Sequence, residues 1–346
     1  MSASGADRGA QLDAGLVDMM NAVFADYRAT HPPTGPIRRD TELWAGLDRL
    51  GLVRLTGSEQ SGGSGASWYE VAELIAAAAR NGVRVPLAEH DVLACWLLEQ
   101  VGAPIAAAAR TACILDETGT ATAVPWASTA ERIVVIWQHD GGHLLADLDC
   151  AQLRITPGSN LIGEPRDTVA ADTSALPGTP VPAGLVAQLQ LKAALVRSIQ
   201  VCAALDKILE LVVEHASART QFGRPLSKFQ AVQQLISDTA AEAALARAAT
   251  EAALSAAVRS NWSGSNLRFA VSVARSCAGH AASVAVRNAH QVLGAIGTTA
   301  EQRLHEYTRA ALAWRSEFGS VQHWDQQVTD AALAAGTDGL WSLIAD

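Results

Sequence analysis

The chain has 346 residues and carries 26 Lys and Arg against 35 Asp and Glu, a formal charge of −9. That acidity excludes the basic face a nucleic-acid binder needs. With 49% apolar and 18% charged residues the chain lies far from the disordered regime, and its length predicts about two domains. No stretch approaches the roughly 18 consecutive apolar residues of a membrane span. The opening Met1-Ser-Ala-Ser-Gly-Ala-Asp-Arg8 lacks the basic start and apolar run of a signal peptide. The five cysteines (Cys95, Cys113, Cys150, Cys202, Cys277) are scattered, with no C-x-x-C. They read as small core residues in a reducing, cytoplasmic setting, and no Cys/His cluster has metal-ligand spacing.

Residues 1–104 read as helical. Val17, Met20, Val23 and Phe24 recur at helical spacing until His31-Pro32-Pro33 ends the run. Asp40-Thr41-Glu42 opens a short helix carrying Leu43, Trp44 and Leu47. The Gly62/Gly63/Gly65 segment is a loop; Trp68–Arg80 is again helical and stops at Asn81-Gly82. A further apolar helix is expected from Leu87 to Val101.

Residues 105–180 change texture. Arg132–Trp137 is β-branched, Asp140-Gly141-Gly142 is a hairpin signal before Leu144-Leu145, and Leu153–Ile155 and Val169–Ser174 read as further short strands. Residues 181–346 return to helix. Pro182 marks a start; Leu195, Ile199, Cys202, Leu205, Leu209 and Val212 trace one long stripe, broken at Phe222-Gly223-Arg224-Pro225. A second long helix follows through Phe229, Val232, Ile236, Thr239 and Ala243, and a third from about 266 to 293. Shorter helices are expected near 300–313 and 322–335. The fold class is α+β, mainly α: an N-terminal helical domain (1–104), a shortened central β domain (105–180) and a C-terminal long-helix bundle (181–346).

Two segments carry more specific chemistry. Arg219-Thr-Gln-Phe222-Gly223 can place a forked guanidinium on a diphosphate, beside a chain break whose free N–H groups would face an anion at a helix start. Gln230 and Gln291 offer amides, and Gly294 and Gly297 would let backbone approach a nucleotide closely. The plainer reading of the same residues is a surface arginine and a glycine helix cap.

Arg219-Thr-Gln-Phe-Gly…Gln230 resembles the R-x-x-F-G-x(6)-Q stretch of the acyl-CoA dehydrogenase family. Gln291-Val-Leu-Gly-Ala-Ile-Gly297-Thr-Thr-Ala-Glu301 resembles that family's Q-x-x-G-G-x-G-x(3)-E. The resemblance covers nearly the whole chain and implies FAD shared across a subunit interface. Arg219, Gln221, Phe222, Gln230, Gln291, Gly294 and Gly297 would hold the diphosphate and adenine. Ala295 stands in place of the motif's second glycine.

The other half of the family pattern is eroded. About twenty residues separate Pro104 from Trp126, with no T-E-P or G-S-D between them, and Trp126-Ala127-Ser128 is either a remnant of W-I-T or core packing. The family's base, a Glu about 24 residues after the first glycine of Q-x-x-G-G, maps onto Phe318. Gly319, Ser320 and Gln322 match the flanking pattern, and Glu317 is one residue off. A one-residue helical shift turns a side chain by about 100°. The alternative family position on the preceding long helix falls at Ala193 or Ala194.

The resemblance thus implies a short subunit like those of α2β2 actinobacterial steroid side-chain acyl-CoA dehydrogenases. Its partners would be a full-length homologue, an acyl-CoA substrate and an electron-transferring flavoprotein. A self-sufficient homotetramer using Glu317, a non-catalytic stabilising subunit and a flavin monooxygenase on the same fold remain open at this level.

Overall fold

The computed structural model describes residues 12–32, 36–299 and 301–345; the reading of Met1–Arg8 lies outside them. The N-terminal part holds α1 (Ala14–Thr30), α2 (Thr41–Arg49), α3 (Trp68–Arg80) and α4 (Trp96–Gln100). Side-chain caps start the first three: Asp13 accepts from Leu16 N–H, Asp40 from Glu42 and Leu43 N–H, and Ser67 shares a capping box with Glu70. The helix expected from Leu87 to Val101 is present over residues 87–100, but its Glu89–Cys95 stretch is π-helical and buried before it runs into α4. Such a stretch re-aims side chains. Here Glu89, His90 and Asp91 are all buried, an outcome that amphipathic periodicity does not foresee.

The β module is two small sheets. One has the order β1 (Arg110–Ile114), β3 (Arg132–His139), β4 (Gly142–Asp149), β7 (Thr179–Val181); the other has β2 (Thr120–Pro125), β6 (Arg166–Ala170), β5 (Arg154–Thr156). β1 lies parallel to β3, and the remaining pairs are antiparallel. Cys113, Val124, Ile133, Val135, Trp137, Leu148 and Val169 pack together as its core. β1, β2 and β7 are too rich in Thr, Ala and Pro to stand out in the sequence. The strand expected at Val169–Ser174 ends at Ala170, because the Asp172 carboxylate caps a tight turn by accepting from Ser174 N–H.

The C-terminal bundle is α5 (Ala183–Ala218), α6 (Gln230–Arg259), α7 (Ser265–Leu293), α8 (Leu304–Trp314) and α9 (Val321–Ala345). Ala274, Ala278, Ala281, Ala282, Ala285 and Ala289 of α7 are all fully buried. Their small side chains let neighbouring helices approach closely. The alanine content also makes one helix within residues 266–298 long and apolar enough, by composition, to cross a membrane. Half of that window is buried inside the fold, as befits a core helix. α9 outruns its expected end at 335, continuing to Ala345 across a kink at Gly336 (φ 64°).

One hydrophobic core spans the N-terminal helices and the C-terminal bundle. The two outer parts are therefore a single packing unit, with the β module set against it. Lys192 of α5 ties them. Its buried ammonium lies 4.6, 4.4 and 3.9 Å from the ring centres of Trp68, Trp96 and Trp262. Burial pushes this amine well below its ordinary pKa, with Asp91 opposing the fall.

Candidate functional site

The long helix α5 ends at Arg219, whose carbonyl accepts from Leu226 N–H at 2.9 Å across a small hairpin, β8 (Thr220–Gln221) and β9 (Arg224–Pro225). That hairpin and the end of α7 face each other across an open groove of about 820 Å³. Arg219, Gln221, Gln291, Gly294 and Ala295 line it, with Leu235 of α6 among its apolar floor residues. Two motifs 70 residues apart in the chain thus meet on one surface. The Arg219 guanidinium is exposed and makes no ion pair among the described residues. It also helps burial hold the neighbouring His215 below its ordinary pKa. An exposed guanidinium, two amides and a glycine backbone suit a phosphate-rich ligand such as the FAD diphosphate and adenosine.

The two motif glycines differ in role. Gly294 caps α7 at φ 61°, ψ −145°, with no atom within 4 Å of where a Cβ would stand. It is open to a ligand and adopts a conformation that other residues avoid. Gly297 does not line the groove. It is buried, and a Cβ there would lie 3.0 Å from Leu293 Cβ and 3.2 Å from Leu304 Cδ2. Gly297→Ala is expected to cost about 1–3 kcal/mol by overpacking while leaving nucleotide affinity unchanged. Thermal melts beside a flavin titration check this.

The remaining motif residues fall outside the groove. Phe222 is 91% exposed at the hairpin tip (φ 52°), so the chain break is a hairpin turn and not a helix start. It packs edge-on to Phe229 at 6.3 Å, and Arg224 stacks over the same Phe229 ring at 4.2 Å. Gln230 is exposed at the first residue of α6. The Ser320 hydroxyl accepts from His323 N–H and caps α9, with Gln322 exposed beside it.

Glu317 sits in the turn between α8 and α9, at the junction of all three parts of the chain. Its Oε1 accepts from Arg166 Nε at 2.8 Å and Asn160 Nδ2 at 2.9 Å; its Oε2 accepts from Arg197 Nε at 2.6 Å and Arg166 Nη2 at 2.9 Å. Arg197 Nη2 goes on to Glu89 at 2.8 Å, and Arg166 Nη2 to Glu164 at 2.8 Å, which also accepts from Trp314 Nε1. Burial alone would raise the carboxyl pKa, but Arg197 and Arg166 outweigh it and hold Glu317 at about 2. The buried Arg275 fixes the same turn by donating to the carbonyls of Arg315 at 3.0 Å and Glu317 at 2.7 Å. Every lone-pair direction of Glu317 is engaged, and the geometry makes it an anchor. Nothing in the sequence marks this cluster, because its members come from five separate elements. Trp126 is buried against it (φ 61°) and belongs to the packing.

The neighbouring residue faces elsewhere. Phe318 lines a second cavity, of about 610 Å³, between β1 and β2 on one side and α5 and the start of α9 on the other; Ala193, Cys113, Val124 and Trp324 also line it. The family's alternative bases map onto Phe318 and onto Ala193 or Ala194; Phe318 and Ala193 lie on this one cavity, Ala194 is buried, and none bears a carboxylate. The carboxylate on this wall is Asp116, which accepts from Thr118 N–H, Thr118 Oγ1 and Thr120 N–H and shapes a turn.

The family described as "Acyl-CoA dehydrogenase, C-terminal domain" matches residues 187–330, which hold the whole groove. Among curated proteins the chain is 29% identical over 303 residues to the acyl-CoA dehydrogenase FadE34 of Mycobacterium tuberculosis, a match covering 83% of this chain and 41% of that protein. The chain thus spans about two fifths of the length of that relative. The ChsE4–ChsE5 complex of Mycobacterium tuberculosis has a chain with the same fold, at a TM-score of 0.80 and 20% identity over 92% of this chain and 96% of that one. The Tcur3481–Tcur3483 steroid ACAD gives a TM-score of 0.81, also at 20% identity, over 93% and 98%. With its two motifs joined in one groove, the chain has the fold of the acyl-CoA dehydrogenases, and its residues 187–330 match that family's C-terminal domain.

Proposed function

We propose that this chain is the partner-dependent short subunit of an FAD-dependent acyl-CoA dehydrogenase, lending half of a flavin site to a full-length homologue in an α2β2 assembly. One observation carries this reading: Arg219, Gln221, Gln291 and Gly294 share an open groove, while the positions expected to hold a base are Phe318 and Ala193 or Ala194, none of them a carboxylate, with Phe318 and Ala193 on a separate cavity. Bound FAD would supply the hydride acceptor for α,β-dehydrogenation of an acyl-CoA thioester. Arg219 would pair with its diphosphate, Gln221 and Gln291 would orient it through their amides, and Gly294 would admit it close to the backbone. The α-proton would go to a carboxylate of the partner, since a group held at about 2 and saturated with donors accepts protons poorly near neutrality.

The steroid side-chain class of acyl group is supported by the relatives that share this fold, and an electron-transferring flavoprotein is the acceptor in keeping with the family. Flavin absorbance tests the proposal. The chain purified alone is expected to be colourless, and to give a yellow complex, with one FAD per pair, when co-expressed with a full-length homologue. A yellow protein with one FAD per chain on its own would overturn it in favour of a self-sufficient enzyme.

A further inference from the structure

Away from both the groove and the cavity, a half-open pocket of about 350 Å³ lies between the end of α1, residues 36–38, the Gly82–Arg84 turn after α3, Ile162 and the first turns of α8. Its wall carries four guanidinium groups, Arg28, Arg38, Arg84 and Arg309, against one carboxylate, Glu306. In a chain of net charge −9 this is a concentrated positive site. Glu306 is already divided: its Oε2 accepts from Arg28 Nη2 at 2.7 Å and lies 3.5 Å from Arg303 Nη2.

Two of the four arginines are built in. The side chains of Arg84 and Arg28 are only 9% and 10% exposed. Arg84 stacks over Trp314 at 4.7 Å and donates through Nη2 to the Glu306 carbonyl at 3.2 Å. The other carboxylate near it, Glu164 at 4.0 Å, is shared among Arg166, Asn160 and Trp314. Among the described residues, Arg84 Nη1 and Arg28 Nε are buried without a hydrogen-bond partner, while Arg28 Nη1 donates to the His31 carbonyl at 3.1 Å and Arg309 to the Leu161 carbonyl. Burial pushes the Arg84 pKa down, with Glu164 only partly compensating. Guanidinium groups keep their charge in proteins, so the exposed Arg38 and Arg309 offer donors to an anion while the buried pair behind them adds positive field.

We propose that this pocket binds a small phosphate-bearing molecule. A phosphate dianion matches four guanidiniums and one carboxylate better than a single carboxylate ligand does, and guanidinium forks bind its oxygens in pairs. The volume lies at the small end of ligand sites, which favours a compact phosphorylated metabolite over a nucleotide. Pro32, Ile37, Ile162 and the Tyr27 ring, stacked on His31 at 4.3 Å, offer an apolar wall for its carbon body.

The test is calorimetric titration of inorganic phosphate into the full chain, in its complex, at constant ionic strength. Saturable heat is expected. Binding should weaken at least tenfold in the Arg38→Gln/Arg309→Gln double variant, whose substitutions lie at exposed positions and should leave the circular dichroism unchanged. It should persist in Arg219→Ala, which alters only the nucleotide groove. Absence of saturable heat overturns the proposal. So does phosphate binding that survives the double variant and disappears in Arg219→Ala, since the ion would then sit in the groove. Acetate bound as tightly as phosphate overturns the phosphate class.

Discussion

Replacing Arg219 by alanine in the complex with a full-length partner is expected to strip most of the flavin. A charged, bidentate phosphate contact contributes about 1.5–3 kcal/mol, so FAD should bind about 10- to 100-fold more weakly, read as lost visible absorbance after gel filtration. The fold should be unaffected, because Arg219 is exposed and holds no ion pair among the described residues. Arg219→Lys should recover only part of the affinity, since an ammonium cannot fork across two oxygens. Unchanged flavin content in Arg219→Ala would instead favour a stabilising subunit with no hand in the cofactor.

Glu317→Gln is expected to act on stability far more than on chemistry. It removes the carboxylate that Arg166 and Arg197 share, although Arg166 keeps Glu164 and Arg197 keeps Glu89, so the cost should fall at the low end of the about 3–5 kcal/mol for breaking a buried ion pair from one side. The pH dependence follows from the direction of the shift. Glu317 is held down from 4.5 to about 2 in the folded chain. It therefore contributes stability above its unfolded value, about 3 kcal/mol for a shift of that size, and that contribution is lost as pH falls from about 4.5 towards 2. Denaturant melts across that window should show the loss in the native chain and not in Glu317→Gln. If Glu317 were instead the base, the folded variant in its complex would lose 10²-fold or more in the rate of flavin bleaching by acyl-CoA. Bleaching within a few-fold of the native rate is the expected result.

Much of the architecture was legible before any coordinate. The start at Asp40, the stop at Asn81-Gly82, the Asp140-Gly141 hairpin and the three long helices of the bundle are local signals, decided by residues within a turn of one another. Arg219 and Gln291 were singled out by the resemblance of their motifs, and packing brings both to one groove. Phe222, Gln230, Gly297, Ser320 and Gln322 were the weaker readings, since a motif position does not say whether a side chain faces a ligand or its own helix cap.

The sequence by itself therefore determined the helix–sheet–helix order and the long-helix bundle, because periodicity, caps and turn residues act over a few positions. It also determined that no carboxylate stands at Phe318, Ala193 or Ala194. Only the tertiary structure decided what Glu317 does. The electrostatics of a buried group are set by what is brought within a few ångströms of it, and Asn160, Arg166 and Arg197 reach Glu317, with Glu89 and Glu164 behind the two arginines, from distances along the chain that no local pattern links. The same holds for the Lys192 tryptophan cage and for the arginine pocket beneath α1. Each is assembled from separate elements by packing, and desolvation then gives those residues a chemistry that they lack as neighbours in sequence.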